Sequence, residues 1–573
     1  MPEWMRDPAI SYHRPAIARA RTLPPWRARL VLLLVLAGFG ALAARALWVQ
    51  VVDREFYAYQ GRLRFERTVE STPARARVLD RNGAILAISE PMADVWVVPQ
   101  EFATATPAQL RQVAVALDMP PDEVAARGHG DRRFLYLKRQ VARDTALALH
   151  SERIPGLNLT ETTRRSFPEG SDIANVIGLT NIDGEGLEGI ELANEAELRG
   201  SAGRRRVIVD RLGRVVEQLG TLAAPQPGRD VTLSIDMRIQ RVAMQALGAA
   251  MERSAARAAS AIVVDTRTGE ILALANLPSA DPGHPGGQRA DGMRNRAVTD
   301  TFEPGSTIKP LTVALALERG RVAPDTRFDT APGVLEIHGA RIRDTRDFGT
   351  LDLGQVVAKS SNIGMVRIAQ RLSAEEMWQN FRLFGLGEKP LRDYPGVAPG
   401  RLRPAQRWKP IEQATMAYGY GLSVSLAQLA QAYAAFGNDG LRPPLTLYAG
   451  RAPAPAVRVM SPEVARTLRL MLEASASPGG TARIAMLDGY RVGAKTGTAR
   501  KQEGNGYAAG KYRATFVGLA PVSDPKLVVA VMIDEPTRGS YYGGPAAGPV
   551  FAEILRGALR ILATPPDRRG AGI

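Results

Sequence analysis

EPGSTIKP, residues 303–310, is the most informative stretch of this sequence. The proline and glycine before the serine indicate a turn, and the apolar run that follows predicts a helix over 306–319 with Ser306 at its N-terminus. Lys309 lies one turn later on the same face. A desolvated lysine at this spacing can activate a serine hydroxyl, and a helix N-terminus favours the charge of an oxyanion. Taken alone, the same spacing also fits a helix-capping serine beside a solvated lysine.

Two further polar motifs lie at separate places in the chain. Ser360-Ser361-Asn362 interrupts an apolar stretch that predicts a helix over 354–371, so its side chains either cap a turn or point into a cleft. Lys495-Thr496-Gly497-Thr498 lies on a predicted strand near 491–500, where the glycine lets the strand approach a ligand closely. S-x-x-K, S-x-N and K-T-G in this order form the set of a serine acyl-transfer site. The three motifs therefore predict one common site.

The elements around these motifs predict an α+β domain. Strands occur at both ends of the segment with helices between them, so we expect one sheet that joins the two ends. The predicted strands are 261–265, 270–275, 491–500, 514–520 and 527–533, and the predicted helices are 233–251, 306–319, 354–371, 425–436 and 548–562.

The N-terminal region predicts a membrane segment. Residues 1–29 carry six arginines against two acidic residues, and LVLLLVLAGFGALAA, residues 30–44, has no charge. One interpretation is a cleaved signal peptide that uses this apolar core. The other is a single transmembrane anchor over 30–52, with Arg45 reaching out to the interface, and the span length favours it. The basic excess then places residues 1–29 in the cytoplasm and everything after Val52 outside.

The composition excludes several classes of function. The 573 residues are 45% hydrophobic and 23% charged, which is ordinary for a chain of about three or four domains. The absence of cysteine excludes disulfides, thiol nucleophiles and cysteine-bound metals, and the five histidines form no HExxH pair. The net charge of +16 comes from scattered arginines, so we expect a basic surface and no nucleic-acid partner. A GxGxxG match at 184–189 is predicted to be a tight turn, because Glu185 and Glu188 would repel a pyrophosphate.

Turn signals divide the rest of the chain. Hairpins are predicted at 77–86, with an Asn-Gly turn, and at 205–216, around Arg211-Leu212-Gly213. LAAPQPG, residues 222–228, predicts a linker. We therefore expect a cytoplasmic tail at 1–29, an anchor at 30–52, a strand-rich domain at 53–228, a catalytic domain at 229–563 and a disordered tail at 564–573.

The sequence resembles the class B penicillin-binding proteins along most of its length. The similarity to their transpeptidase domain lies in RNRAVTDTFEPGSTIKP (294–310), MAYGYGLSVSLAQLAQAY (416–433) and YYGGPAAGPVF (541–551). TNIDGEGLEGIE (180–191) and LDRNGAILA (79–87) resemble the membrane-proximal pedestal of that family, its dimerisation-type domain. The resemblance implies an antiparallel sheet flanked by helices, preceded by one transmembrane helix and an elongated, strand-rich pedestal. Within the family, the chain is most similar to the division-specific (FtsI-type) enzymes of Gram-negative bacteria.

The resemblance also implies a role for each catalytic residue. Ser306 would attack the D-Ala-D-Ala carbonyl of a peptidoglycan stem peptide, with Lys309 as the base. Ser360 would relay the proton to the leaving D-alanine, Asn362 would position Lys309 and the donor amide, and Lys495 would supply positive potential.

A second set of residues would bind the substrate. Thr496 and Thr498, with Gly497 between them, would hold the terminal carboxylate of the donor or of a penicillin. The backbone N–H groups of Ser306 and Thr498 would form the oxyanion hole. No metal or organic cofactor is implied.

The partners implied by the resemblance are peptidoglycan stem peptides and the lipid-linked precursor, β-lactam antibiotics, the membrane, a polytopic division glycosyltransferase and other division proteins. The expected location is the bacterial inner membrane at the division septum, with the bulk of the chain in the periplasm. The alternatives are an elongation-specific transpeptidase, a D,D-carboxypeptidase and a catalytically silent division scaffold. A penicillin-hydrolysing enzyme is disfavoured, because no E-x-x-L-N motif lies between Asn362 and Lys495.

Overall fold

The structure, a computed structural model, describes residues 24–130, 132–210, 215–283, 289–451, 454–504 and 506–568. The chain forms two units. The first contains the described residues of 1–71 and 204–224, and the second contains those of 72–203 and 225–573.

The first unit begins with the apolar helix Pro25–Leu47, which continues into a π-helical turn at Trp48–Val52. Together, Pro25–Val52 is long and apolar enough to cross a membrane. The helix starts five residues before the predicted anchor, because Pro25 suits the first helical position, where no backbone N–H is needed. The predicted cytoplasmic tail lies mostly outside the described residues.

The rest of the first unit is a helix, Arg54–Phe65, and a three-stranded sheet. Its strands are Glu66–Ser71, Gly203–Val209 and Val215–Ala223, with Gly203–Val209 in the middle. The antiparallel pairing of the last two confirms the predicted hairpin at 205–216, whose turn lies outside the described residues. The predicted linker at 222–228 is wrong at its start, since the strand runs on to Ala223.

The second unit contains the remainder of the predicted pedestal. Its central strand, Ile85–Val97, pairs antiparallel with Leu157–Ser166 and with Leu135–Ala142. The predicted hairpin at 77–86 is confirmed: Val78–Leu79 pairs with the start of the central strand. The other elements of this region are strand Val231–Thr232 and helices Pro99–Phe102, Pro107–Leu117, Pro121–Ala126, Arg143–Ser151, Gly170–Asp172, Ala174–Ile177, Gly189–Ala193 and Glu195–Arg199.

A buried ion cluster joins distant parts of this region. The Nε atoms of Arg75 and Arg165 donate to the two carboxylate oxygens of Glu191, at 2.6 and 2.7 Å. Arg75 also pairs with Glu195 at 2.7 Å. Glu191 is fully buried, and these two guanidinium groups balance its charge.

The catalytic region is built on one antiparallel five-stranded sheet. The strands are β1 (Ala258–Asp265), β2 (Ile271–Leu277), β3 (Gly493–Glu503), β4 (Gly506–Ala520) and β5 (Leu527–Asp534). Their order across the sheet is β2-β1-β5-β4-β3. The early strand β1 is therefore paired with the late strand β5, and this confirms the α+β prediction of a sheet that joins both ends of the segment.

Helices cover both faces of this sheet. They are α1 (Met237–Ser254), α2 (Lys309–Glu318), α3 (Leu353–Lys359), α4 (Asn362–Ala369), α5 (Leu426–Gly437), α6 (Pro462–Ala476) and α7 (Gly543–Ile561). The terminal helices α1 and α7 pack with one core, and α2 to α6 pack mainly with the other. Alternate residues of each strand face opposite cores, as in Val263 and Val264. Helix α5 is buried along its whole length because it lies between the sheet and the other helices.

Further elements complete the catalytic region. They are strands Arg327–Asp329, Val334–Ile337, Ala340–Arg343, Thr350–Asp352, Leu441–Arg442 and Val457–Arg458, helices Ala374–Leu383 and Pro410–Met416, and helical turns Arg289–Gly292, Arg296–Thr299, Gly305–Ile308, Ala405–Arg407 and Arg483–Ala485.

One prediction for the catalytic region is wrong, and the prediction of a disordered tail at 564–573 is wrong at its start. The predicted helix over 354–371 is two helices, α3 and α4, with a break at Ser360 and Ser361. The predicted disordered tail is ordered at its start: the Tyr490 hydroxyl donates to Thr564 O at 2.7 Å, and Arg491 N donates to Asp567 Oδ1 at 2.7 Å. Residues 569–573 lie outside the described part of the chain.

Candidate active site

Ser306 lies in the 3-10 turn Gly305–Ile308, which leads directly into α2. Gly305 has a φ of +54°, and its N–H donates to Gly419 O at 3.1 Å. A Cβ on Gly419 would lie 2.0 Å from Gly305 O, so both glycines are needed for this close approach. The first N–H groups of a helix have no partner within it. Ser306 therefore lies at the N-terminal end of this helical segment, where the helix dipole favours a negative charge such as an oxyanion.

Lys309 is fully buried one turn after Ser306. Its Nζ donates to three oxygens: Ser360 O at 2.6 Å, Ser360 Oγ at 3.1 Å and Asn362 Oδ1 at 2.8 Å. These three oxygens fix the position of the amine: an ammonium can donate to all of them, whereas a neutral amine donates to two and keeps a lone pair.

The S-x-N motif occupies the break between α3 and α4. Ser360 ends α3 in the left-handed conformation, with φ at 61° and ψ at 39°. Ser361 then caps α4, and its Oγ accepts from Gly364 N at 2.9 Å. Because the helix is interrupted here, Ser360 and Asn362 can both reach the Lys309 amine.

Asp344, which none of the sequence motifs includes, anchors this break. Its carboxylate accepts from Ser361 Oγ and Asn362 N, both at 2.5 Å, and from Ile363 N at 3.2 Å. An aspartate at a helix N-terminus is favoured by the helix dipole. No local motif in the sequence marks Asp344, since it lies in a loop before the helices that it joins.

Lys495 approaches the same hydroxyl from the sheet. Its Nζ donates to Ser360 Oγ at 3.0 Å and to Thr496 O at 3.1 Å, and the side chain is fully buried. Burial lowers the pKa of Lys495 to about 7. Burial and the Lys495 charge also hold the pKa of Lys309 well below its usual range, although Asp344 opposes this shift. A buried amine with a lowered pKa can be neutral near pH 7 and accept a proton.

Strand β3 lies directly beside the Ser306 turn. A Cβ on Gly497 would lie 2.3 Å from Thr515 Oγ1 and 2.9 Å from Pro304 O, so no larger residue fits. The alternation of the strand places Thr496 and Thr498 on the partly open face. Thr498 Oγ1 accepts from Gly543 N at 3.0 Å, and Thr496 Oγ1 donates to Thr481 Oγ1 at 3.4 Å.

The structure thus places all eight residues singled out in the sequence around one point. Lys309, Ser360, Asn362 and Lys495 are joined directly by hydrogen bonds, while Ser306 and the β3 residues flank them. The chemistry available is a serine hydroxyl, two buried amines and backbone donors. Within the described residues, no group of three or more His, Asp or Glu side chains could hold a metal ion.

Comparisons with known proteins agree with this geometry. Residues 259–556 match the family described as the penicillin binding protein transpeptidase domain, and residues 70–233 match the penicillin-binding protein dimerisation domain. The chain belongs to the class B penicillin-binding proteins. It is therefore a penicillin-binding transpeptidase, with a dimerisation domain before the catalytic domain.

Three relatives illustrate the extent of the similarity. The probable peptidoglycan D,D-transpeptidase PenA of Neisseria gonorrhoeae is 40% identical over 95% of this chain and 94% of its own length. The peptidoglycan D,D-transpeptidase FtsI of Escherichia coli strain K12 is 37% identical over 96% of this chain and 94% of its own. Among solved structures, the transpeptidase domain of Burkholderia pseudomallei penicillin-binding protein 3 is 49% identical, with a TM-score of 0.54, over 59% of this chain and 98% of its own.

Proposed function

We propose that this protein is a peptidoglycan D,D-transpeptidase that acts through an ester on Ser306. The observation that carries the proposal is the buried Lys309 amine, one turn from Ser306 and joined through Ser360 Oγ to Lys495. The names of the PenA and FtsI relatives support the peptidoglycan substrate.

In the first step, Ser306 Oγ attacks the carbonyl carbon of the D-Ala-D-Ala peptide bond. Neutral Lys309 takes the serine proton, and the backbone N–H groups of Ser306 and Thr498 stabilise the oxyanion. The C–N bond then breaks, and the leaving D-alanine amine takes a proton from Ser360 Oγ, which Lys309 replaces. The proton lost by Ser306 has then moved to D-alanine, and Lys309 is neutral again.

In the second step, the amine of another stem peptide attacks the ester carbonyl. A C–N bond forms, the ester C–O bond breaks, and the proton from the amine returns through Lys309 to Ser306 Oγ. The product is a crosslink. A penicillin would acylate Ser306 by opening its β-lactam ring, with its carboxylate held by Thr496 and Thr498 near the Lys495 charge.

In the cell, we assign the protein to division. Support comes from the similarity to FtsI of Escherichia coli and from one apolar N-terminal helix. In this assignment the anchor lies in the inner membrane, the catalytic domain faces the periplasm at the septum, and a polytopic division glycosyltransferase supplies the glycan strands. Depletion of the protein should give filaments, whereas loss of an elongation enzyme should give rounded cells.

Intact mass measurement tests the chemistry. The full chain in detergent is incubated with a penicillin beside its Ser306→Ala variant. We expect one penicillin on the native chain and none on the folded variant, whereas an adduct on both would refute the assignment of Ser306. With a stem pentapeptide and an added amine, crosslinked product supports transpeptidation, and free tetrapeptide alone would indicate a carboxypeptidase.

A further inference from the structure

Glu303, three residues before Ser306, is a buried carboxylate without a role in the proposed reaction. Only 6% of it is exposed. Its Oε1 accepts from Gly421 N at 2.8 Å and from Gln502 Nε2 at 3.0 Å, and its Oε2 accepts from the Tyr507 hydroxyl at 2.9 Å. All three partners donate hydrogen bonds and so favour the ionised carboxylate, although burial raises the pKa of Glu303.

These three donors come from two separate elements. Gly421 belongs to the loop that packs on the Ser306 turn through Gly419. Gln502 and Tyr507 face each other across the distal end of the β3–β4 hairpin. Glu303 therefore joins the segment that carries the nucleophile to the far end of the strand that carries Thr496 and Thr498.

Among its described residues, the distal hairpin makes few other contacts that could fix it. Gln502, Glu503, Gly506 and Tyr507 are all exposed, and Tyr507 keeps 47% of its surface open. Apart from Glu303, Tyr507 makes an edge contact with the Tyr420 ring at 6.3 Å between centroids. Burial and the Glu303 charge raise the pKa of Tyr507 to about 12, so its hydroxyl keeps the proton that it donates. Closer to the sheet, Lys501 pairs with Asp534 at 2.9 Å and holds the strand there.

The position of β3 relative to the Ser306 turn matters for the proposed chemistry. The two N–H groups of the proposed oxyanion hole lie one on each side: Ser306 on the turn and Thr498 on β3. Gly305 is close enough that a Cβ on it would lie 3.2 Å from Thr498 O. A small displacement of β3 relative to the turn would separate the two donors and weaken the oxyanion hole.

We infer that Glu303 is a positioning residue that fixes the distal β3–β4 hairpin to the nucleophile turn and thereby sets the spacing of the oxyanion hole. The inference rests on the proposed function of Ser306. It predicts an effect on the acylation step with little effect on the initial binding of penicillin, because the carboxylate-binding threonines remain on the same strand.

The test measures the acylation constant k2 and the binding constant Ks for a penicillin, together with deuterium uptake by the hairpin. The variants of the full chain are Glu303→Gln, Tyr507→Phe and their combination. The matched control is Glu503→Gln, which makes the same substitution in the same hairpin at an exposed ion pair with Lys511. Because about half of the Tyr507 surface is exposed, Tyr507→Phe keeps the test valid if a Glu303 variant does not fold.

We expect Tyr507→Phe to lower k2 about fivefold, as for one net hydrogen bond, and Glu303→Gln to lower it by about tenfold or more. In all three variants Ks should remain within about threefold of the native value, and deuterium uptake by the hairpin should rise. The fall in k2 in the double variant should be smaller than the product of the two single falls, because both residues act through one contact. The inference is overturned if k2 matches the Glu503→Gln control, if uptake rises without a fall in k2, or if the effects multiply as independent ones. If the native chain is not acylated at all, the proposed function itself fails. If the chain is acylated but deuterium uptake by the hairpin is unchanged in Glu303→Gln, the link between Glu303 and the hairpin is refuted.

Discussion

Lys309 and Lys495 share one hydroxyl, Ser360 Oγ, and neither side chain is accessible to solvent. A positive charge on either amine disfavours protonation of the other, and burial disfavours the protonated form of both. At the level of single residues, the proposed mechanism assigns the two lysines different functions: Lys309 as a neutral amine would accept the proton of Ser306, and Lys495 as a charged amine would attract a carboxylate.

The pH dependence of acylation should reflect this division. Protonation of Lys309 removes the base, so the rate should fall as the pH drops. Burial lowers the pKa of Lys495 to about 7, so its charge should be lost above about pH 7 and the rate should fall again. We expect a bell-shaped profile of penicillin acylation between about pH 5 and 9. In Lys495→Arg, whose guanidinium stays charged, the residual activity should lack the alkaline limb. An alkaline limb that persists in this variant would contradict the assignment.

Asp344 offers a second prediction for a single residue. Asp344→Asn keeps the shape of the side chain but removes the charge that supports protonated Lys309, and it leaves one of its three donors without a good acceptor. We expect acylation to slow by about tenfold, the cost of one charge-assisted hydrogen bond, and the acid limb of the profile to move to lower pH. Asp347→Asn, in the same loop and exposed, is the control. An acid limb that stays in place in Asp344→Asn would show that its charge does not act on Lys309.

At the level of the elements, the close approach of β3 to the Ser306 turn depends on Gly497, which has no side chain. Gly497→Ala would place a Cβ 2.3 Å from Thr515 Oγ1 and 2.9 Å from the Pro304 carbonyl, and the latter cannot rotate away. We expect the variant to fold with a lowered melting temperature. Its penicillin labelling should fall by about a hundredfold or more, because β3 must move away from the Ser306 turn and carry the Thr498 N–H out of the oxyanion hole. Gly506→Ala, on the adjacent strand with open space around it, should label normally. Normal labelling of Gly497→Ala would show that the spacing tolerates this movement.

The elements also show where sequence patterns are informative. Apolar periodicity predicted α5 and the strands β1, β2, β3 and β5 close to their observed bounds, because each has a buried face. Strand β4 begins eight residues before its predicted start at 514, because its first half is largely exposed and shows no apolar pattern. The same periodicity runs through Ser360 and predicted one helix where two exist. The break depends on hydrogen bonds to Asp344 and Lys309, which are distant in sequence, so no local pattern reveals it. For the same reason, the motifs identified the residues around Ser306 but neither Asp344 nor Glu303.

For the whole molecule, the second unit relies on contacts between residues far apart in sequence. The antiparallel pairing of β1 with β5 closes the catalytic sheet over nearly half of the chain. In the dimerisation domain, the cluster of Arg75, Arg165 and Glu191 has the corresponding role, since it joins the start of the domain to the glycine-rich turn near its end.

This cluster should be essential for stability but not for chemistry. Glu191→Ala would leave two buried guanidinium groups without their shared carboxylate, and loss of one partner from a buried ion cluster costs about 3–5 kcal/mol. We expect the midpoint of urea unfolding to fall accordingly, while the remaining folded protein still binds one penicillin on Ser306. Glu185→Ala removes an exposed partner of Arg199 in the same region and should change the unfolding free energy by less than about 1 kcal/mol. Equal midpoints for the two variants would mean that water replaces the Glu191 carboxylate, and that the dimerisation domain is held mainly by its apolar core.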